Sequence, residues 1–444
     1  MKFDKLLFAG LMTVSLMAGL SNFMNPANVF VLLAVLLSLL LILQGRDVTA
    51  VYVMIALIPY FSSLRLSGFA FGFIIPVVAF IKLWIRHFSG ALPKLLIAAF
   101  LFLFIGFFHD IQYSTFMESI LRSFMPLYVF AALSWVRFEK YNRFFAAWVV
   151  IGSSLIAMYC VFMVQGANLD SFIYSSYAGE MRLGEADVDS GQKNQLGGAM
   201  GFPIYTITIL SLIVQMFLMH SLRFWQKILM LSISVVVFFL TFLTVSRVYL
   251  LGLGVLIILL LYYIARHVSI KVFVGILCVF LFLGVIAAML NPDFVTSVFS
   301  QYEGRITNSD NHHIGSRGYI YRDCIDYLSS NLECILIGKG TLGYVAIGKQ
   351  MNTWMSMSAH NFLLDGLLSF GIIGFIFVFY AFYKLYKKER FRTRCRVTAL
   401  HCMPLFCILA MYITSTPFML EKVWPFFLFL VLNITPNKEE FIRH

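Results

Sequence analysis

Charged residues are scarce in this chain. They make up 12% of its 444 residues, whereas ordinary soluble domains carry about a quarter. Hydrophobic residues make up 61%, and the mean hydropathy is +0.87. This composition excludes an ordinary soluble domain and indicates an integral membrane protein. The apolar runs are continuous and do not alternate with period two, so the predicted spanning elements are α-helices.

The sequence also has none of the common cofactor or hydrolase motifs. There is no P-loop, dinucleotide fingerprint, Gly-x-Ser-x-Gly elbow or His-Glu-x-x-His. The seven cysteines include no Cys-x-x-Cys pair, so no zinc or thioredoxin-like motif is present. No metal and no cofactor are therefore predicted. The net charge of +12 lies mostly in short loops between apolar runs, which indicates membrane orientation and not nucleic-acid binding.

The hydrophobic runs predict a polytopic all-α protein with about 12–14 transmembrane helices. Met1 to Lys5 precedes an apolar run without a small-residue cleavage site, so a retained first helix is expected. Of the 33 lysines and arginines, 22 fall in loops or tails on one side, which places both termini in the cytoplasm. The predicted spans are 6–20, 27–43, 48–64, 68–84, 94–108, 120–135, 144–164, 195–219, 227–244, 248–265, 270–290, 361–383, 398–416 and 421–434.

One long polar segment interrupts these runs. Residues 1–290 are predicted to form a transmembrane bundle, 291–360 a large loop on the outer side, and 361–444 C-terminal transmembrane helices with a cytoplasmic tail. Within the loop, Tyr319, Ile320, Cys324, Tyr327 and Leu328 share a helical spacing that predicts an amphipathic helix lying at a membrane surface. On or near its other side, the same reasoning puts Arg317, Arg322 and Asp326.

Three arginines stand out because they lie on the outer side, where they oppose the orientation rule. Arg182 lies in the loop 165–194, Arg247 in a tight turn between helices, and Arg317 in the large loop. A guanidinium donates two parallel hydrogen bonds and stays charged, which suits a pyrophosphate. His360, where the loop returns to apolar sequence, adds a group that exchanges protons near neutral pH. Solvent or lipid headgroups are the alternative contacts for the arginines.

Several weaker patterns keep two interpretations. The Asp187-Val188-Asp189 segment is either a divalent-cation pattern or a solvated acidic loop. The glycines in Gly338-Lys339-Gly340 either allow a close backbone approach to a ligand or form a plain turn. Cys324 and Cys334 form a disulfide only if the compartment is oxidising.

Five short segments, taken in order, resemble the superfamily of O-antigen ligases and O-antigen polymerases. They are Arg182-Leu183-Gly184 with Lys193-Asn194-Gln195-Leu196-Gly197, the Ser246-Arg247 turn, Ser316-Arg317, Gly338-Lys339-Gly340, and the run from His360-Asn361 to Gly371 and Gly374. The resemblance implies a GT-C-like bacterial inner-membrane glycosyltransferase with a periplasmic site. Carried over to this chain, the resemblance implies that His360, Arg247 and Arg317 are catalytic and that Arg182, Asn194 and Asn361 line the substrate site. Arg322, a basic residue of the large loop, is also predicted to bind substrate.

The function this implies is polymerisation. A metal-independent O-antigen polymerase joins repeat units linked to undecaprenyl pyrophosphate at the periplasmic face. The expected partners are that lipid-linked oligosaccharide, the lipid bilayer and, by family analogy, a chain-length regulator protein, with no nucleic acid. Two alternatives remain: a ligase that transfers the chain to lipid A core, and a polysaccharide flippase or transporter.

Overall fold

The computed structural model describes residues 4–21, 27–61, 64–66, 71–94, 116–138, 140–164, 198–219, 223–242, 247–267, 314–340, 361–393 and 403–412, with isolated positions in 96–104 and 282–303. Within these ranges the chain is all-α, and no β-strand occurs among them. The helices are α1 Lys5–Leu20, α2 Ala27–Gln44, α3 Asp47–Ala56, α4 Ile74–His87, α5 Phe116–Trp135, α6 Lys140–Val164, α7 Gly198–Met219, α8 Phe224–Phe242, α9 Arg247–His267, α10 Ile314–Ser330, α11 Leu332–Ile337, α12 Phe362–Thr393 and α13 Met403–Tyr412.

The first six helices form an N-terminal bundle around an aromatic and aliphatic core. Helix α1 packs on α2, α3 and α6, while α4 packs on α2 and α5. The Tyr60 hydroxyl donates a hydrogen bond of 2.7 Å to the Ser153 carbonyl of α6, and the rings of Tyr52 and Phe145 lie 4.7 Å apart. The first contact satisfies the polar tip of the buried Tyr60, and the second packs two aromatic rings from distant segments.

A second group of helices packs around α7. Helix α7 contacts α6, α8, α9 and α13, so it joins this group to the N-terminal bundle. Helix α9 comes close to α13 at Gly252, where an added Cβ would lie 2.8 Å from Cγ of Met411. Helix α12 joins the bundle through Phe377, whose ring lies 5.4 Å from that of Phe130 in α5.

The outer surface of the bundle is strongly apolar. On α2, Leu36, Leu40 and Leu43 are 55%, 51% and 57% exposed, and on α8, Val235 is 62% exposed. By length and composition, one described helical segment, Asn142–Cys160, is able to cross a membrane by itself. The shorter apolar helices among the described residues are Lys5–Leu20, Asn28–Gln44, Asp47–Ala56, Phe124–Trp135, Pro203–Phe217, Phe224–Phe238, Val248–Ile264 and Leu363–Phe377.

Most of the predicted helices are confirmed where the chain is described, with two differences. The helix expected over 48–64 ends at Ala56, because Pro59 has no N–H to continue the ladder and disfavours helix at the residue before it. The helix expected over 361–383 continues to Thr393 and is broken at Gly371. The span predicted over 421–434 lies outside the described residues, and the spans 94–108 and 270–290 are described only at isolated positions.

Candidate functional site

Helix α10 confirms the amphipathic pattern within the predicted outer loop. Cys324, Tyr327 and Leu328 are buried, while the side chains of Arg322 and Asp326 are 78% and 64% exposed. The apolar face does not lie on a membrane surface as predicted, because it packs against α11 and the start of α12. The correction has a physical reason: α12 supplies leucines of its own that bury this face.

Nine side chains form what we call the outer cluster. All are apolar or aromatic residues or cysteines, and they come from α10, α11 and the first turns of α12. Its members are Cys324, Tyr327, Leu328, Cys334 and Leu368, with Ile320, Ile335, Leu364 and Leu367 packed against them. The cluster therefore holds together the helix that contains Arg317 and the helix that follows His360.

Arg317 is a backbone position in the first turn of α10. Arg317 comes seven residues before Cys324 in the same helix, which is about two turns, so its helix position is on the side of Cys324. The side chain of Arg317 lies outside the described residues, so its place on the polar side stays a prediction. Its backbone lies less than one turn from Ile320, and Asn361 lies about one turn from Leu364. Both positions are thus adjacent to residues of one cluster.

Asn361 begins α12 as its N-terminal cap. Its Oδ1 accepts hydrogen bonds from the backbone N–H groups of Leu363 at 2.9 Å and Leu364 at 3.2 Å. Its own carbonyl accepts from the N–H of Asp365 at 2.8 Å. Asparagine is favoured here because its side-chain oxygen satisfies donors that have no partner within the helix. The cap lies one residue after His360 and fixes the start of the helix at Phe362.

Asp365 is a buried carboxylate that sequence reasoning missed. It lies in the first turn of α12 and is only 3% exposed. Burial, together with the charges of Asp365 and Asp323, raises the pKa of the Cys324 thiol to about 12. The sequence signal was an acid between two leucine pairs in the apolar first turns of α12. Such buried acids are uncommon without a specific role or partner.

The two cysteines of the outer loop are free and buried in the outer cluster. The Sγ of Cys334 lies 3.9 Å from the Leu368 carbonyl oxygen. Burial is the main cause that raises the pKa of Cys334 to about 11. The disulfide that the sequence allowed is absent here, and both thiols act as small apolar packing groups.

The Gly338-Lys339-Gly340 turn approaches protein backbone and not an open cavity. Gly338 and Gly340 have φ values of 73° and 82°. The N–H of Lys339 donates to the Leu368 carbonyl at 2.7 Å, and the N–H of Gly340 donates to the Ser369 carbonyl at 3.0 Å. The Lys339 ammonium pairs with Glu333 at 2.8 Å, and this hydrogen bond raises the pKa of the lysine. The turn is therefore a docking element against α12.

The remaining predicted site residues divide into two groups. Arg247 is the first residue of α9, which packs on α7 and α13, and Arg322 faces outward within 3.8 Å of Asp326. Outside the described residues lie Arg182, Asn194, His360 and the Asp187-Asp189 pair. Arg247 and Arg317 are described as helix positions only.

Comparison with known families gives one match. Residues 232–379 match the model of the O-antigen ligase family. The matched segment runs from within α8 to within α12 and includes Arg247, Arg317, the Gly338–Gly340 turn and the His360-Asn361 pair. Comparison with curated proteins and with solved structures gives no significant match. Residues 232–379, about a third of the chain, are therefore similar to this family, which supports the expected superfamily of O-antigen polymerases and O-antigen ligases.

Proposed function

We propose that the protein is an O-antigen polymerase. It joins surface-polysaccharide repeat units linked to undecaprenyl pyrophosphate at the periplasmic face of a bacterial inner membrane. The observation that carries the proposal is the outer cluster, which holds α10 and the start of α12 together within the family-matching segment. Arg317 is a position in α10 and Asn361 caps α12, so the packing of these two helices supports a shared site for Arg317, Asn361 and the neighbouring His360.

The chemistry requires a good leaving group and an acceptor hydroxyl. The hydroxyl of the non-reducing sugar on an incoming repeat unit attacks the anomeric carbon of the growing chain. The bond from that carbon to the pyrophosphate oxygen breaks, and undecaprenyl pyrophosphate leaves. Arg247 and Arg317 stabilise the charge that builds on the leaving group, and His360 takes the proton of the acceptor hydroxyl. No metal ion takes part in this mechanism.

The other predicted residues contact the rest of the substrate. The Oδ1 of Asn361 is used in capping α12, so its amide NH₂ is the group we assign to the substrate. Arg322 is exposed on α10, and we assign it to the glycan beyond the pyrophosphate. Arg182 and Asn194 complete the substrate site. A chain-length regulator protein is the proposed partner.

The proposal places the helices in a bilayer, with both termini in the cytoplasm. The exposed leucines and valines of α2 and α8 support this arrangement, because a soluble protein rarely leaves apolar patches of that extent uncovered. The basic run from Lys384 to Arg396, which begins within α12, belongs on the cytoplasmic side. The His360 end of α12 then faces the periplasm.

The test is polymerisation by purified protein in lipid nanodiscs. The substrate is a repeat unit on undecaprenyl pyrophosphate, excess chelator is present, and the products are separated on a gel. We expect a ladder of chains from the wild-type protein and none from Arg247→Ala, Arg317→Ala or His360→Ala. Lys227→Ala removes an exposed charge at the predicted cytoplasmic end of α8 and is the matched control, with a normal ladder. Long chains from the Arg247 and His360 variants would overturn the proposal.

Ligase activity is the second candidate, because the matching family model is described as O-antigen ligase. Donor and chemistry are shared, and only the acceptor differs. Adding lipid A core to the same assay separates the two activities. Transfer of one preformed chain to the core without a ladder would identify a ligase.

A further inference from the structure

Helix α12 is broken in the middle. Gly371 has φ of 61° and ψ of −174°, which is far from helical geometry. The break divides α12 into a first half, 362–370, and a second half, 372–393. The first half contacts the outer cluster, and the second half reaches the bundle through Phe377 and Phe130. The direction of the first half is therefore not set by the second half alone.

The Gly338–Gly340 turn occupies this break. In an unbroken helix, the carbonyls of Leu368 and Ser369 accept hydrogen bonds from residues four positions later. Here they accept from the backbone N–H groups of Lys339 at 2.7 Å and Gly340 at 3.0 Å. Peptide groups of the outer loop thus provide donors to carbonyls at the break. Bonds of this kind fix the turn and the first half of α12 relative to each other.

The backbone of the turn and the backbone of α12 cross at Gly338 and at Gly371, and both positions require glycine. A Cβ on Gly338 would lie 2.4 Å from Ser369 C and O and from Phe370 N. A Cβ on Gly371 would lie 2.4 Å from the carbonyl carbon and oxygen of Leu336. These are backbone atoms, which do not rotate away as a side chain does. The φ values of 73° and 61° add a second requirement, because only glycine adopts them without strain.

We propose that Gly338 and Gly371 are positioning residues for glycosyl transfer, and this inference rests on the proposed function. The docked turn sets the direction of the first half of α12, and so the location of Asn361 and of His360 before it. The outer cluster also includes α10, which contains Arg317. The same crossing therefore fixes the position of Arg317 relative to the first half of α12. Neither glycine touches the substrate. Both act through the helix they orient.

The test compares Gly371→Ala and Gly338→Ala with Gly254→Ala. Gly254 is a glycine of α9 whose added Cβ meets no atom within 4 Å, so it is the matched control. The kcat of polymerisation and the KM for the lipid-linked unit are measured for each. We expect kcat to fall about 100-fold in both positioning variants, because a misplacement of about 1 Å has that effect. KM and the folded fraction stay close to wild type, and Gly254→Ala keeps wild-type kinetics. A fall in rate only in proportion to the folded fraction would overturn the proposal.

A second readout does not depend on activity. Cys334 is buried beside Leu368, so its labelling by a maleimide reports whether the turn stays docked. We expect faster labelling in the folded Gly371→Ala and Gly338→Ala proteins and the wild-type rate in Gly254→Ala. Labelling at the wild-type rate in all three would contradict the docking argument. An inactive wild-type protein with this labelling pattern would instead count against the proposed function alone.

Discussion

The N-terminal bundle and the outer assembly of α10, α11 and the start of α12 are held together in different ways. The bundle has a large continuous core, in which polar tips such as the Tyr60 hydroxyl bond to carbonyls of other helices. The outer assembly has one small cluster and a backbone crossing at Gly338 and Gly371. Many side chains share the stability of the first, whereas a few atoms fix the geometry of the second. Substitutions in the two regions should therefore have different consequences.

A matched pair of leucines tests this difference most strongly. Leu57 lies in the bundle core and Leu368 in the outer cluster, and both are 0% exposed. Truncating a buried leucine to alanine costs about 2–5 kcal/mol. We expect Leu57→Ala to lower the melting temperature and keep the activity of each folded molecule. Leu368→Ala should leave the melting temperature of the bundle nearly unchanged and lower activity, because the outer assembly opens locally.

Melting curves in detergent, activity per folded molecule and hydrogen exchange over 320–340 measure these effects. In Leu368→Ala, exchange should become faster in that segment and stay unchanged in α1–α6. If both variants lowered the melting temperature by the same amount and had the same activity per folded molecule, the two regions would form one cooperative unit.

The thiols provide a second test of the outer cluster. Burial raises the pKa of Cys324 to about 12 and that of Cys334 to about 11. Only the thiolate reacts, so the reactive fraction of Cys334 near neutral pH is about 100-fold below that of an ordinary cysteine. We expect maleimide to modify neither thiol in the folded protein within minutes and both after denaturation. Rapid modification of Cys334 in the native protein would show that the cluster is open.

The ion pairs of Asp47 in the N-terminal bundle give a smaller effect that depends on pH. Asp47, just before the predicted span 48–64, lies 2.9 Å from Arg86 and 2.7 Å from His87. Burial raises the pKa of Asp47, but the hydrogen bonds and charges of His87 and Arg86 outweigh it and hold the pKa below 3.8. The folded pKa is lowered, so this stabilisation is present above 3.8 and is lost as the pH falls through the folded value.

Asp47→Asn removes the titrating group and keeps its size. We expect a lower melting temperature than wild type at pH 7 and a smaller further decrease in acid. Melting curves from neutral to acidic pH measure this. Parallel curves for the two proteins would mean that Asp47 does not contribute to acid sensitivity. Activity at neutral pH should change little, since the contact is far along the chain from the family-matching segment.

Periodicity and composition were sufficient for the helices of the bundle, because a continuous apolar run has few other solutions in a membrane. The amphipathic spacing of α10 also predicted its buried face at Cys324, Tyr327 and Leu328. What covers that face was not predictable, since the partner leucines of α12 come about forty residues later in the chain. The break at Gly371 was not predictable from the sequence either. Glycine allows a positive φ at any position, but only the close approach of the Leu336 backbone makes glycine necessary at this one.

Arg322 provides the test with the smallest expected effect, which asks whether this residue stabilises the fold or binds substrate. Its side chain is 78% exposed and its only described ion pair is with Asp326, 3.8 Å away and one turn along α10. A pair of this kind contributes about 0–1 kcal/mol, so Arg322→Ala should not change the melting temperature measurably. If Arg322 contacts the glycan, KM for the repeat unit should rise by less than about tenfold with kcat unchanged.

Asp326→Ala is the matched control, because it removes the same ion pair and leaves the guanidinium in place. An equal rise in KM in both variants would assign the effect to the ion pair, whereas a rise in Arg322→Ala alone would assign it to the substrate. If KM changed in neither variant, the exposed face of α10 would not contact the substrate. The substrate contacts of α10 would then be confined to the side that faces α12.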